Sequence, residues 1–239
     1  MISNSPETIL LWDIDGTLIS GGGAGERALE RTAQALLGQT IDLSTVDYHG
    51  RTDLRISRML FEITGQNPSH EEIHHFGQHY LTLLEEEMGR SSKAHVKPGI
   101  ERILAFYDEH PRAVQGLLTG NLVAGARIKL APFSLFPFFS LGAFADHSED
   151  RNELSLHALQ LIRQNINPDF PPSSVVVIGD TPHDITCGQK IGARTVGVAT
   201  GNYSASDLLQ ASPDAVFEDF SEPRVFENWV AETLGLMTP

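Results

Sequence analysis

A chain of 239 residues, 41% hydrophobic and 20% charged, is long enough to bury a substantial core, either as one large domain or as a domain carrying an insertion. Its 31 Asp and Glu outweigh 17 Lys and Arg, and a formal charge of -14 repels phosphate backbones and anionic lipid, so neither nucleic acid nor a membrane is expected as partner. Cys187 is the only cysteine, which excludes an intrachain disulfide, and the opening MISNSPET lacks the basic and long apolar regions of a secretory signal; a cytoplasmic protein is expected.

The first apolar run, TILLW, predicts a strand that ends directly on Asp13 and Asp15. From about Gly25 to Gly89 no buried strand is evident. Apolar residues there recur at helical spacing: Leu29, Ala33, Leu36 and Leu37, then Ile56, Met59, Leu60 and Ile63, then Ile73, Phe76, Tyr80, Leu83, Leu84 and Met88. Gly38 and Gly65 sit where glycines end helices. This reads as a helical insert over residues 21–97 that rejoins the remainder through a hinge at Lys97 to Gly99.

After the insert, strand and helix alternate. Helices are predicted over Ile100–His110, Leu122–Leu130, Leu154–Asn165, Asp184–Ile191 and Pro223–Leu234. Strands are predicted in AVQGLLT ending at Thr119, SVVVIG ending at Gly179, RTVGVA ending at Ala199 and DAVF ending at Phe217. The most apolar segment, Leu130 to Ala145, is broken by Pro132 and Pro137 and is too short to span a bilayer. The alternation predicts an α/β fold, a parallel sheet with helices on both faces, formed by residues 1–20 and 98–239. Val175 to Ile178, apolar without alternation, is expected to be a central strand covered on both sides.

Residues two apart on a strand share a face, so Asp13 and Asp15 point the same way before Gly16 and Thr17 turn the chain. Open parallel sheets bind ligands beyond the carboxyl ends of their strands, where this pair falls. Two carboxylates held together repel, so one must be protonated or a cation must lie between them. Thr119-Gly120-Asn121, Arg151, Asp180 and Asp184 are expected on the same rim.

These residues carry a resemblance. DIDGTL (Asp13 to Leu18), LLTGN (Leu117 to Asn121) and VIGDTPHD (Val177 to Asp184), in this order and spacing, resemble the motifs of the haloacid dehalogenase superfamily of phosphatases and phosphomutases, along essentially the whole chain. The resemblance implies a Rossmann-like core with a helical cap inserted after the first motif, as in the branch that includes phosphoglycolate phosphatases and β-phosphoglucomutases. It implies Asp13 as nucleophile, forming an aspartyl-phosphate, and Asp15 as the acid that protonates the departing oxygen and then activates water. It implies Mg²⁺ held by Asp13, the Asp15 carbonyl and Asp180, with Asp184 direct or through water. Thr119 and Arg151, helped by backbone N–H groups near Gly120 and Asn121, would hold the phosphoryl oxygens. The third motif matches least closely; its basic residue is assigned to Arg151, with Lys129 as competitor. Arg51 in HGRTDL is either a substrate contact from the cap or a surface arginine beside the helix-capping Thr52. Aspartate at position 15 argues against a dehalogenase.

The implied activity is hydrolysis of a small phosphorylated metabolite, the alternatives being a phosphomutase and a phosphate-binding module without catalysis, by a monomer or homodimer. Other patterns read as structural. His70-Glu71-Glu72-Ile73-His74 fits a zinc-protease pattern, yet Ser69 and Glu72 form a capping box there and no third ligand is evident. Asp184 can complete a capping box with Thr181 as well as bind metal. GGGAG at Gly21 to Gly25 lacks dinucleotide spacing, ATGN at Ala199 to Asn202 is a rim loop, and Cys187 is a packed small residue.

Overall fold

The computed structural model describes residues 6–236. Strand β1 (Thr8–Trp12) lies wholly inside, followed by a two-residue strand β2 (Ile19–Ser20) and the helices α1 (Ala24–Leu37), α2 (Asp53–Ile63) and α3 (His70–Arg90). A second short strand, β3 (His95–Val96), leads to α4 (Ile100–Asp108), β4 (Ala113–Leu118), α5 (Val123–Leu130), β5 (Leu141–Ala143) and α6 (Arg151–Asn165). The chain then runs through β6 (Val175–Gly179), α7 (Pro182–Lys190), β7 (Arg194–Val198), α8 (Ala205–Gln210), β8 (Ala215–Phe217) and α9 (Pro223–Leu234).

The strands β5-β4-β1-β6-β7-β8 form one sheet in that order, every pairing parallel. Successive residues of each strand serve opposite layers. Leu10, Trp12, Val176 and Ile178 join one cluster with Ile103, Tyr107, Leu130 and Phe226, whereas Ile9, Leu11, Val175 and Val177 join a second with Leu154, Ala158, Ile162 and Cys187. Helices on both faces explain why β1 and β6 need apolar residues at consecutive positions. This is a Rossmann-like α/β core.

Register places the site. Trp12 pairs with Leu117 on one side and Ile178 on the other, so the central strands end level and Asp13, Thr119 and Asp180 emerge together. The Asp13 N–H still donates to the Ile178 carbonyl at 2.9 Å, which ties the first acidic residue to the sheet.

Helices α1–α3 form a helical cap with a cluster of its own, built on Ala28, Leu29, Leu60, Phe76, Tyr80 and Leu84. Thr52 caps α2 by accepting from the Arg55 N–H, Ser69 and Glu72 form a reciprocal capping box on α3, and α1 ends at Gly38 with φ 68°. His70 and His74 are exposed, and among the described residues neither belongs to a group able to hold a metal.

Several details differ from the sequence reading. β2 and β3 pair antiparallel, Ile19 with Val96 and Ser20 with His95, so the chain leaves and rejoins the core through one small ribbon too short to register as a periodic pattern. Helix α6 begins at Arg151, three residues early, because Asp150 caps it by accepting from the Asn152 N–H at 2.8 Å. Ile63 is 52% exposed, although its spacing matched the buried face of α2.

Phe226 lies 5.7 Å from Trp12, 6.1 Å from Tyr107 and 5.0 Å from Phe220 between ring centroids, at the centre of an aromatic cluster beneath β1. Phe226→Ala is expected to cost about 3–5 kcal/mol of folding stability in urea unfolding, and Ile63→Gln less than about 0.5 kcal/mol.

Candidate active site

The turn after β1 lets the carboxylates meet. Gly16 adopts φ 83°, and a Cβ added there would collide with the Asp180 carboxylate, so only glycine permits this approach. Thr17 Oγ1 donates to Asp180 Oδ1 at 3.2 Å, and the Gly16 carbonyl accepts from Thr200 Oγ1 at 2.6 Å. Thr200 belongs to the ATGN segment, which therefore forms part of the rim.

Asp13, Asp180 and Asp184 are buried, and one oxygen of each lies within 4.8 Å of the others. Arg151 is buried beside them. Its Nη2 lies 3.1 Å from Asp13 Oδ1 and also pairs with Asp184 Oδ1, while its Nη1 donates to the Gly50 carbonyl of the cap segment at 2.9 Å. The second oxygen of Asp184 accepts from Thr181 N–H and Oγ1 at 3.0 and 2.7 Å, so this residue caps α7 while facing the cluster.

One guanidinium does not balance three carboxylates. Burial pushes the Asp13 carboxyl up to about 6 against the opposing charge of Arg151, and Asp184 and Asp15 push the same way. Asp180 is raised well above the usual carboxylate range by burial and then by the charges of Asp13 and Asp184. The donor set consists of carboxylate oxygens, which suits a hard divalent cation, and such an ion would relieve the repulsion that lifts these carboxyls.

Asp15 stands apart, with its own cation. Its Oδ2 accepts from Lys129 Nζ at 2.6 Å and from Asn121 Nδ2 at 2.9 Å; Lys129 Nζ also donates to Asn121 Oδ1 at 2.6 Å. Asn121 Nδ2 is within 2.8 Å of Thr119 Oγ1. Burial works to raise the Asp15 carboxyl, yet the Lys129 charge and the hydrogen bonds from Lys129 and Asn121 outweigh it and hold the group below its ordinary value. Arg151 and Lys129 are thus not competitors for one position: Arg151 serves Asp13 and Asp184, and Lys129 serves Asp15.

A cavity of about 390 Å³ lies between core and cap, lined by Asp13, Asp15, Arg51, Asn121, Lys129, Arg151 and Asp180 among others. Arg51 is at its edge, with Nη2 2.9 Å from Asp47 Oδ2 and Nε 2.7 Å from the Asp47 carbonyl. Gly120 faces the cap: its carbonyl accepts from the Asp53 N–H at 2.7 Å. The sequence reading missed Asp53, whose Oδ2 accepts from the Leu122 N–H at 2.8 Å; burial lifts its carboxyl to about 6 against the nearby Lys129. Its only signal was its place just after the capping Thr52. Cys187 is buried and burial pushes its thiol up to about 12, which suits packing and not nucleophilic attack.

Comparison with known proteins bears on this geometry. A family model described as HAD-hydrolase-like matches residues 151–223, the stretch that supplies Arg151, Asp180 and Asp184. The chain is 22% identical to the probable phosphatase IndB of Dickeya dadantii over 223 residues, 90% of each chain. Residues 151–223 are thus similar to haloacid dehalogenase-like hydrolases, and a likeness to a probable phosphatase runs over nearly the whole chain. A phosphoglycolate phosphatase of Psychrobacter arcticus is 36% identical over 66 residues, 28% of this chain and 26% of that one. A crystal structure from Haemophilus somnus, described as a predicted phosphoglycolate phosphatase, shares the fold with a TM-score of 0.72 at 15% identity, covering 95% of this chain and all of the other. Among the described residues no helix is long and apolar enough to cross a membrane.

Without a divalent ion, the raised Asp13 carboxyl prefers its proton in the folded state. That contribution to stability is present below the ordinary value of 3.8 and is lost as pH rises through about 6. A divalent ion held by Asp13, Asp180 and Asp184 would displace this proton. MgCl₂ at about 100 times its dissociation constant is therefore expected to stabilise the fold by about 2.7 kcal/mol at pH above 6, and by progressively less as pH falls through 6. Thermal melts across pH, with Asp180→Asn as the variant that loses the effect, check both sign and site.

Proposed function

We propose that this protein is a Mg²⁺-dependent phosphatase that hydrolyses a small phosphorylated metabolite through an aspartyl-phosphate on Asp13. The observation that carries the reading is the division of the rim into two stations, a buried carboxylate cluster around Asp13 and a separately paired Asp15, both opening on one cavity.

Asp13 attacks phosphorus as the ester bond breaks, and Asp15 gives its proton to the departing oxygen. In the second half Asp15 takes a proton from the water that cleaves the aspartyl-phosphate. An approaching phosphate ester brings negative charge toward Asp15, which raises its proton affinity in the direction an acid requires. Asp13, the Asp15 carbonyl and Asp180 would hold Mg²⁺, with Asp184 direct or through water. When bound, the ion supplies positive charge against the repulsion between carboxylate and phosphoryl oxygens. Thr119, Arg151 and N–H groups near Gly120 and Asn121 hold the phosphoryl group. Arg51 would turn from Asp47 to the substrate; an ion pair this exposed is weak enough to exchange partners. The cap, residues 21–97, restricts bulk water during the transfer.

Hydrolysis is preferred to a mutase because both sequence relatives named above are called phosphatases, the one over nearly the whole chain and the other over a quarter. A panel of phosphorylated metabolites, with p-nitrophenyl phosphate as reference, is expected to show turnover that EDTA abolishes. Each ester consumed should release one inorganic phosphate; a sugar phosphate isomer formed without free phosphate would replace hydrolase with mutase. Asp13→Asn is expected to lower kcat by on the order of 10⁴ or more, and Arg151→Ala by about 10²–10³.

A further inference from the structure

We infer that Lys129 is a positioning residue for Asp15, fixing which carboxylate oxygen meets the ester; the inference rests on the phosphatase reading. Lys129 closes a three-membered hydrogen-bonded ring. Its Nζ donates at 2.6 Å to Asp15 Oδ2 and at 2.6 Å to Asn121 Oδ1, and Asn121 Nδ2 completes the ring to Asp15 Oδ2 at 2.9 Å. Two donors therefore end on Oδ2. Among the described residues none donates to Oδ1, and the Asp15 side chain is 46% exposed where it lines the cavity.

Turning the protonated carboxyl over would set its O–H against two donors, the Asn121 amide and the Lys129 ammonium, the latter buried with only 7% of its side chain exposed. The proton that Asp15 handles consequently belongs on Oδ1. In the first half-reaction it passes from Oδ1 to the ester oxygen as the ester's bond to phosphorus breaks and the Asp13–phosphorus bond forms. In the second, Oδ1 takes a proton from water as the water oxygen bonds to phosphorus and the Asp13–phosphorus bond breaks. Protons and bonds balance over the cycle.

The cap takes part in this arrangement. A Cβ added to Gly25 of α1 would lie 3.8 Å from both Lys129 Nζ and Tyr80 Oη, so α1 and α3 pack directly over the ammonium. A bulkier residue at position 25 would press on it. A lysine present only to neutralise charge needs neither the bond to Asn121 nor this enclosure, and the ring also ties Asp15 to Thr119 through the 2.8 Å contact of Asn121.

The test compares two esters of nearly the same shape, phenyl phosphate and p-nitrophenyl phosphate, in single turnovers with enzyme in excess. Phenolate is the poorer leaving group and depends on a well-placed proton; nitrophenolate depends on it far less. Lys129→Met is expected to slow both, with the loss for phenyl phosphate exceeding that for p-nitrophenyl phosphate by about tenfold or more. Equal losses, or none, would overturn the inference and leave Lys129 as structural. Circular dichroism and melting establish whether the variant folds. If it does not, Lys129→Ala, which removes the donor and leaves room for water, is put through the same comparison and must show the same imbalance. Failure of the phosphatase reading is separate: wild-type protein would then cleave neither ester, or Asp13→Asn would cleave them as well as wild type.

Discussion

Everything at the rim depends on packing three carboxylates around one guanidinium where water cannot screen them. Asp13, Asp180 and Asp184 converge from β1, β6 and α7, and Arg151 arrives from the start of α6 as the one cation among the described residues in contact with Asp13 and Asp184. Such a group is costly unless it performs work, because each buried carboxylate gives up hydration that its neighbours only partly replace. The raised proton affinities of Asp13 and Asp180 measure that imbalance, which a divalent ion is suited to remove.

The sheet makes the convergence possible. Parallel strands in register deliver their last residues to one edge, and the turn at Gly16 admits the Asp180 carboxylate where any side chain would block it. Much of this was legible in the sequence. Unbroken apolar strands announced a sheet covered on both faces, and Asp13, Asp15, Thr119 and Asp180 each stand just beyond a strand end, with Asp184 in the first turn of the helix that follows β6. Pro223–Leu234 appears with the bounds read from its spacing.

What stayed hidden is set by tertiary contact. Lys129 was named in the sequence only as a rival to Arg151, because nothing local distinguishes a solvated helical lysine from one folded under α1 and α3 against Asp15. Asp53 follows a capping threonine, the usual place for an acidic residue favoured by the helix dipole, so its reach to the Leu122 N–H across the gap between cap and core could not be read from the chain. The pair β2 and β3 offers only two residues on each side, fewer than any periodicity requires. Cap and core are further joined by the Thr52 hydroxyl to the Glu149 carbonyl, by the forked Arg58–Glu149 pair and by Arg151 to Gly50.

The ribbon of β2 and β3 has a wider meaning. Since Ser20 and His95 lie side by side, the sheet sees the whole of what hangs between them as a single hairpin loop. Its strands would close up equally well around a longer, shorter or differently sculpted insert, provided the two ends still met. The sheet and the lobe that covers its rim are therefore separable in inheritance: one can be remodelled while the other is passed on unaltered.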